Sequence, residues 1–310
     1  MHKCSVNRLK GETGFCRSSS KLSLYSYSPH HGEEPPLSGV RGSGTMFFTH
    51  CNMKCVYCQN YIFSQESNSF EIEVEEPALR SLGVGELALR SLGVGELAEK
   101  MLELEGLGCH NINLVSPTHY ASQIVEALQI AKKSLHIPIV YNTGGYDNIE
   151  LVKLLDGIID IYMPDMRYSR DAMALKYSSA PNYVENNRLI VKEMFRQTGI
   201  LKLNAEGVAE KGVIVRLLIL PNNISGTIDT LRFLKEEVSE DIFLSIMSQY
   251  HPTYRAREFP EIARRINKKE YEEVLGEVEK LGFKNGWIQG FITEVDHFLG
   301  TNIKPNRTPR

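Results

Sequence analysis

From residue 45 onward, short apolar runs alternate with longer stretches in which apolar residues recur three and four positions apart. The runs fall at 45–48, 111–115, 138–141, 158–163, 212–220 and 242–247, lengths that suit buried strands. Between them, helical spacing covers roughly 86–106, 120–135, 148–156, 182–198, 227–238 and 268–281. Strands alternating with helices predict an α/β fold with a parallel sheet. Right-handed crossovers curl such a sheet into a partial (β/α)6 TIM-like barrel. Residues 1–40, rich in Ser, Gly, Pro and Tyr with weak periodicity, predict an N-terminal loop-rich arm. The barrel is expected over 41–290 and a C-terminal tail over 291–310.

One irregularity interrupts the pattern. The decapeptide ALRSLGVGEL at 78–87 recurs unchanged at 88–97, too short a unit and too few copies for a solenoid. An extra exposed loop or helical turn is expected there, because insertions are tolerated best on surfaces.

At 310 residues the chain can bury a full core. Its formal net charge of -3 offers no basic excess to recruit nucleic acid through phosphates, which disfavours that class of partner. The opening Met-His-Lys-Cys lacks the apolar run of a signal peptide, and no segment has the roughly 18 consecutive apolar residues a membrane helix needs. The reading is a cytoplasmic protein without membrane partners. The Asn-x-Ser/Thr triplets at Asn223 and Asn306 are then chance matches.

Six cysteines stand at 4, 16, 51, 55, 58 and 109, three of them within eight residues. In a reducing compartment that crowding points to metal rather than disulfides. Cys51-Asn-Met-Lys-Cys55-Val-Tyr57-Cys58 follows the apolar run TMFF almost at once, so its thiolates leave one loop at a strand's C-terminal end. A closed zinc site wants four ligands, usually in two knuckles, and no second knuckle stands at the expected distance. Three cysteines on a cubane of four irons leave one iron open, and an open metal position implies chemistry.

The other strand ends carry unusual turns of their own. Ser116-Pro-Thr118-His119 follows the second strand. His119 is a candidate cofactor contact or a loop histidine with a structural hydrogen bond. Asn142-Thr-Gly-Gly-Tyr146 follows the third, its glycines allowing close backbone approach. Met163-Pro-Asp165-Met-Arg167 follows the fourth, where the bland reading is a surface ion pair worth under about 1 kcal/mol. Arg216 lies inside the apolar run GVIVRLLILP and needs an anion, either a ligand carboxylate or an acid on a neighbouring strand. Ser248-Gln-Tyr-His251 follows the sixth. Cys109 is read as a small buried hydrophobe.

CxxxCxxC with an aromatic before the last cysteine, here Tyr57, resembles the signature of the radical S-adenosylmethionine (radical SAM) superfamily. Over about residues 40–290 the chain is similar to pyruvate formate-lyase activating enzymes. The segments HHGEEPPLSGVRGSGTMFF, CNMKCVYCQNY, YNTGGY, MSQYHPTY and NGWIQ resemble an activase-like branch of that group. The resemblance implies a [4Fe–4S] cluster on Cys51, Cys55 and Cys58. It further implies S-adenosyl-L-methionine on the open iron and a one-electron reductant of flavodoxin or ferredoxin type. The cofactor's cleavage then yields a 5′-deoxyadenosyl radical that takes a hydrogen atom from a substrate, which for an activase is a protein.

By the same resemblance Tyr57, Ser116, Thr118, Asn142, Asp165, Arg167, Arg216 and His251 line the cofactor, Arg216 meeting its carboxylate and His251 its adenosine end. Two departures stand out. No carboxylate occupies the SPTH turn, where activating enzymes carry a Gly-Gly-Glu-type turn. Asn142 replaces an Asp, removing one charge from a cation site known in some of them. Cys4 and Cys16 resemble the second half of a four-cysteine element whose first CxxC is missing here. The competing readings are a non-catalytic iron–sulfur or zinc module for redox sensing or binding, and an inactive copy.

Overall fold

In the structure, a computed structural model, residues 2–66, 87–291 and 300–302 are described. The expected six strands are β2 (Ser43–Phe48), β4 (Ile112–Val115), β5 (Ile139–Thr143), β6 (Ile161–Pro164), β8 (Ala209–Leu218) and β9 (Phe243–Met247), preceded and interleaved by β1 (Leu22–His30), β3 (Leu87–Leu92) and β7 (Lys202–Leu203) and followed by β10 (Gly286–Gln289) and β11 (Gly300–Asn302). The sheet runs β11-β10-β9-β8-β6-β5-β4-β2-β1-β3, with β7 paired to β8. β2 through β10 along this path are parallel, and β1 and β11 pair antiparallel at its two flanks. The sheet curls but does not close, giving the expected partial barrel.

Helices Val94–Gly106, Ala121–Ala131, Ile149–Leu154, Tyr183–Thr198, Thr227–Glu237 and Lys268–Leu281 cover its outer face, and Asp171–Ser178 adds a helix that the spacing does not predict. The last of the covering helices shows how local sequence sets an end. Asn267 and Glu270 cap each other's backbone as a capping box, and Gly282 ends the helix at φ 73°.

The segment read as a loop-rich arm holds the nine-residue strand β1, whose Ser/Tyr-rich alternation disguises its two buried leucines, Leu22 and Leu24. The repeat also turns out differently. Its first copy lies outside the described residues save Leu87, but the second is neither loop nor exposed turn. Leu87–Leu92 pairs with β1, and Leu92, Leu97 and Ala98 are buried. The helix therefore starts at Val94, not 86, because Glu96 accepts a hydrogen bond from Gly93 N–H at 2.8 Å and fixes the start there. Asn306 lies outside the described residues.

Alternate residues on the strands divide the interior. Ile112, Leu114, Tyr141, Val213, Val215, Leu244 and Ile246 point outward into one apolar core with the helices. Val140, Ile161, Met163, Ile214 and Trp287 point inward and meet Leu37, which the arm inserts into the lumen. The Leu37 carbonyl accepts from Asn111 Nδ2 at 2.8 Å, tying this plug to β4. Inward positions also carry Thr45, Asn113, Asn142, Arg216 and Ser245, which is unusual for parallel strands, whose two faces ordinarily read as apolar.

Candidate active site

The cysteine loop leaves the end of β2 and is clamped from two directions. Lys54 and Val56 N–H groups donate to the carbonyls of Ser178 (2.9 Å) and Tyr177 (2.8 Å), and Arg255 N–H donates to the Val56 carbonyl (2.9 Å). Cys55 is buried, and Cys51 and Cys58 are half-buried. Each sulfur has a polar neighbour: Ser178 Oγ donates to Cys55 Sγ at 3.1 Å, Met53 N–H donates to Cys51 Sγ at 3.4 Å, and Ser64 Oγ lies 3.2 Å from Cys58 Sγ. Donors on sulfur favour the thiolate, the form that ligates metal.

Burial, then the neighbouring cysteines, push the Cys51 thiol up to about 12 and the Cys58 thiol up to about 11, while the Arg167 guanidinium works the other way. Cys51 and Cys58 therefore hold their protons until positive charge is brought among the sulfurs, which is what a metal centre does. Three cysteines from one loop are the donor set of a cubane that keeps one iron open, whereas a closed zinc site takes four protein ligands. The donor set fits the cluster.

Tyr57 is buried below this loop, its hydroxyl 2.6 Å from Tyr168 OH, which in turn lies 2.7 Å from Ser178 Oγ. The aromatic before the last cysteine thus belongs to a hydrogen-bonded row ending on Cys55.

The fourth strand end lies beside the loop. Asp165, 7% exposed at its side chain, takes Arg167 NH2 on one carboxylate oxygen and Arg216 Nε, at 2.8 Å, on the other. Arg216 NH2 donates to Asn142 Oδ1 at 2.8 Å, and its NH1 lies 3.8 Å from Glu33 of the arm. The anion that Arg216 needs is present within the protein, on the neighbouring strand. In the pair Asp165–Arg167 the acid is buried and the guanidinium half-buried, so it is not the surface pair of the alternative reading, and Arg167 stands near enough to Cys51, Cys58 and Tyr57 to stabilise their ionised forms. Its Nε is buried without a hydrogen-bond partner.

The second and third strand ends are joined by a residue that sequence reasoning missed. Asp147 is fully buried and accepts from Thr118 Oγ1 (2.6 Å), Thr143 Oγ1 (2.6 Å) and Tyr141 OH (2.9 Å). Thr118 therefore spends its hydroxyl proton on the turn. Ser116 adopts φ 57° and donates its N–H to the Asn142 carbonyl at 2.9 Å. His119 is buried, with Nε2 2.7 Å from the Thr49 carbonyl, and burial pushes it down to about 3, so it is a neutral structural histidine. Gly145 is required: at φ 73°, a Cβ there would lie 2.0 Å from the Asp165 carbonyl oxygen. His251 is half-buried beyond β9, its Nδ1 3.4 Å from the Gln249 carbonyl.

No protein-family model matches the chain. A protein of Methanocaldococcus jannaschii, uncharacterized protein MJ0674, is 30% identical over 282 residues, covering 90% of this chain and 73% of that one. The chain belongs to that protein's family. Among solved structures, Streptococcus suis SuiB bound to S-adenosylmethionine is similar at a TM-score of 0.50 and 11% identity, over 78% of this chain and 48% of SuiB. Methylornithine synthase (PylB) is similar at a TM-score of 0.47 and 15% identity, over 74% of this chain and 59% of its own. The chain thus spans roughly half to three-fifths of these solved proteins, and the likeness to SuiB is one of fold.

All six cysteines are free. Cys109 is buried in the outer core as expected, Cys16 is buried with Arg8 NH2 3.0 Å from its sulfur, and Cys4 is exposed. Besides Asp147, Tyr168 and Ser178, the sequence reading passed over Glu33 and Glu34. The available signal was a pair of adjacent acids in an otherwise apolar, Pro-rich stretch of the arm.

Proposed function

We propose that this family member is a radical SAM enzyme in which Cys51, Cys55 and Cys58 hold a [4Fe–4S] cluster. With S-adenosyl-L-methionine and a reductant of flavodoxin or ferredoxin type, such a cluster supplies one-electron cleavage of the sulfonium and a radical that abstracts a hydrogen atom. The observation that carries the reading is the CxxxCxxC loop at the C-terminal end of β2, its thiols flanked by the Asp165–Arg167 pair. In parallel barrels, functional groups gather at that end of the strands. A fold shared with a protein solved with S-adenosylmethionine supports it.

The residues divide the labour. Ser178, Tyr168 and Tyr57 fix Cys55, and Arg167 places positive charge beside the thiolates. Asp165, Arg216 and Asn142 lock three strand ends together, and with Ser116, Thr118 and His251 they make up the rim assigned to the cofactor. Leu37 plugs the lumen from the arm, helping to exclude water from a reactive radical. The resemblance to activating enzymes extends the reading to a protein as hydrogen donor, and to a cytoplasmic setting.

The test is anaerobic reconstitution with iron and sulfide, reduction, and quantification of 5′-deoxyadenosine from added S-adenosylmethionine. Native protein is expected to form it and Cys55→Ala to fall to background. A reconstituted cluster that leaves the added cofactor intact and unbound would move the chain to the redox-module reading.

A further inference from the structure

Around Arg216 stand Asp165, Glu33 and Glu34 and one other guanidinium, Arg167, so three acids face two bases. Asp165 engages both guanidiniums, and Glu33 approaches only Arg216. Glu34 is 5% exposed; its Oε1 accepts from Ser245 Oγ at 2.8 Å, and its Oε2 is buried with no hydrogen-bond partner. A carboxylate oxygen taken out of water and left unpaired is costly, and it calls for a donor from outside the chain: an ordered water, an ion or a ligand group.

Beside it lies a cavity of about 260 Å³ whose lining includes His31, Glu33, Glu34, Arg216, Gln249 and Trp287. We propose that this cavity receives a cationic nitrogen group of the substrate, a guanidinium or ammonium, with Glu34 Oε2 as its acceptor and Glu33 as the second charge. The word substrate rests on the radical SAM reading; the cation site itself does not. Trp287 adds an aromatic wall of the kind that guanidinium and ammonium groups pack against. Burial and the Glu34 charge push Glu33 up to about 7. Without a cation the pair sheds charge by holding a proton, and a bound cation would release that proton.

The experiment is a calorimetric melting series on the reconstituted full chain with millimolar methylguanidine, with its neutral counterpart methylurea, and with a short arginine-containing peptide. Methylguanidine is expected to raise the melting temperature with concentration, methylurea to leave it unchanged, and Glu34→Gln to weaken the methylguanidine response by about tenfold. A stronger response to the peptide assigns the group to an arginine side chain, and a response to methylguanidine alone to a free small molecule. Equal responses to methylguanidine and methylurea, or an unaltered response in a folded Glu34→Gln protein, overturn the proposal. The native comparison of the two probes decides the question if Glu34→Gln does not fold. Deoxyadenosine formation, measured separately, keeps the two readings apart: a cation response without deoxyadenosine leaves the site standing and removes the radical chemistry.

Discussion

The two faces of the same strands obey different rules. On β4, Ile112 and Leu114 turn outward and are wholly buried under helices, while Asn113, equally buried, turns into the lumen. On β8, Val213, Val215 and Leu217 pack outward and Arg216 inward; on β9, Leu244 and Ile246 flank the inward Ser245. Burial alone does not distinguish the faces. The outer face is satisfied by dispersion and the removal of apolar area from water, which any well-fitting hydrophobe supplies. The inner face adds to its apolar plug around Leu37 a set of polar groups that only named partners satisfy: Asp165 for Arg216 and Arg167, Ser245 for one oxygen of Glu34, Asn142 for the far end of Arg216. One face therefore specifies a fold and the other a site.

The largest expected effect breaks the inner face. Asp165→Ala removes the one buried carboxylate that two half-buried guanidiniums share, and breaking such a pair costs up to about 3–5 kcal/mol. Urea unfolding of the variant reads this directly. A loss under about 1 kcal/mol would mean that water or Glu33 already compensates both guanidiniums, and the contrast between the faces would be weaker than drawn.

On the outer face the expected cost is somewhat smaller and of another kind. Leu114→Ala, fully buried among the helices, should lose about 3 kcal/mol in the same assay, from lost transfer energy and the cavity left behind. Salt should leave that loss unchanged, since no charge is involved. Deoxyadenosine formation by the folded fraction should match the native protein. A loss of chemistry without a loss of stability would place Leu114 in the site rather than in its support.

This division also explains what the sequence made legible. The six central strands and most helices were readable because outward residues recur in runs and at helical spacing, which are local signals. The cysteines were readable because their spacing is local too. β1 escaped because Ser and Tyr fill its alternation, and its partners β2 and β3 lie elsewhere in the chain. Glu34 escaped because its meaning comes from Ser245, 211 residues away. Tyr168, Ser178 and Asp147 likewise act through contacts that only the folded chain assembles. Arg216 was half legible: its need for an anion follows from one charged residue in an apolar run, but which anion meets it does not.

The smallest expected effect sharpens the comparison through pH, because the apolar residues of the outer face carry no charge while Glu33 of the inner face titrates. Burial first, then the Glu34 charge, raise Glu33 from 4.5 to about 7, with Arg216 and Asn113 opposing. The folded protein therefore binds this proton more tightly than the unfolded chain does. The contribution is fully present below pH about 4.5 and is lost as pH rises through about 7, a fall on the order of 2 kcal/mol. Glu33→Gln, which keeps the shape and removes the titration, should flatten that part of the stability profile. His119 slopes oppositely, since burial holds it neutral down to about 3 and its contribution is lost as pH falls below about 6.5. The Glu33 component is accordingly the difference between native and Glu33→Gln profiles, not the native profile itself. If that difference is level from pH 4.5 to 7, Glu33 is ionised throughout, and the lumen already holds the positive charge that the unpaired Glu34 oxygen calls for.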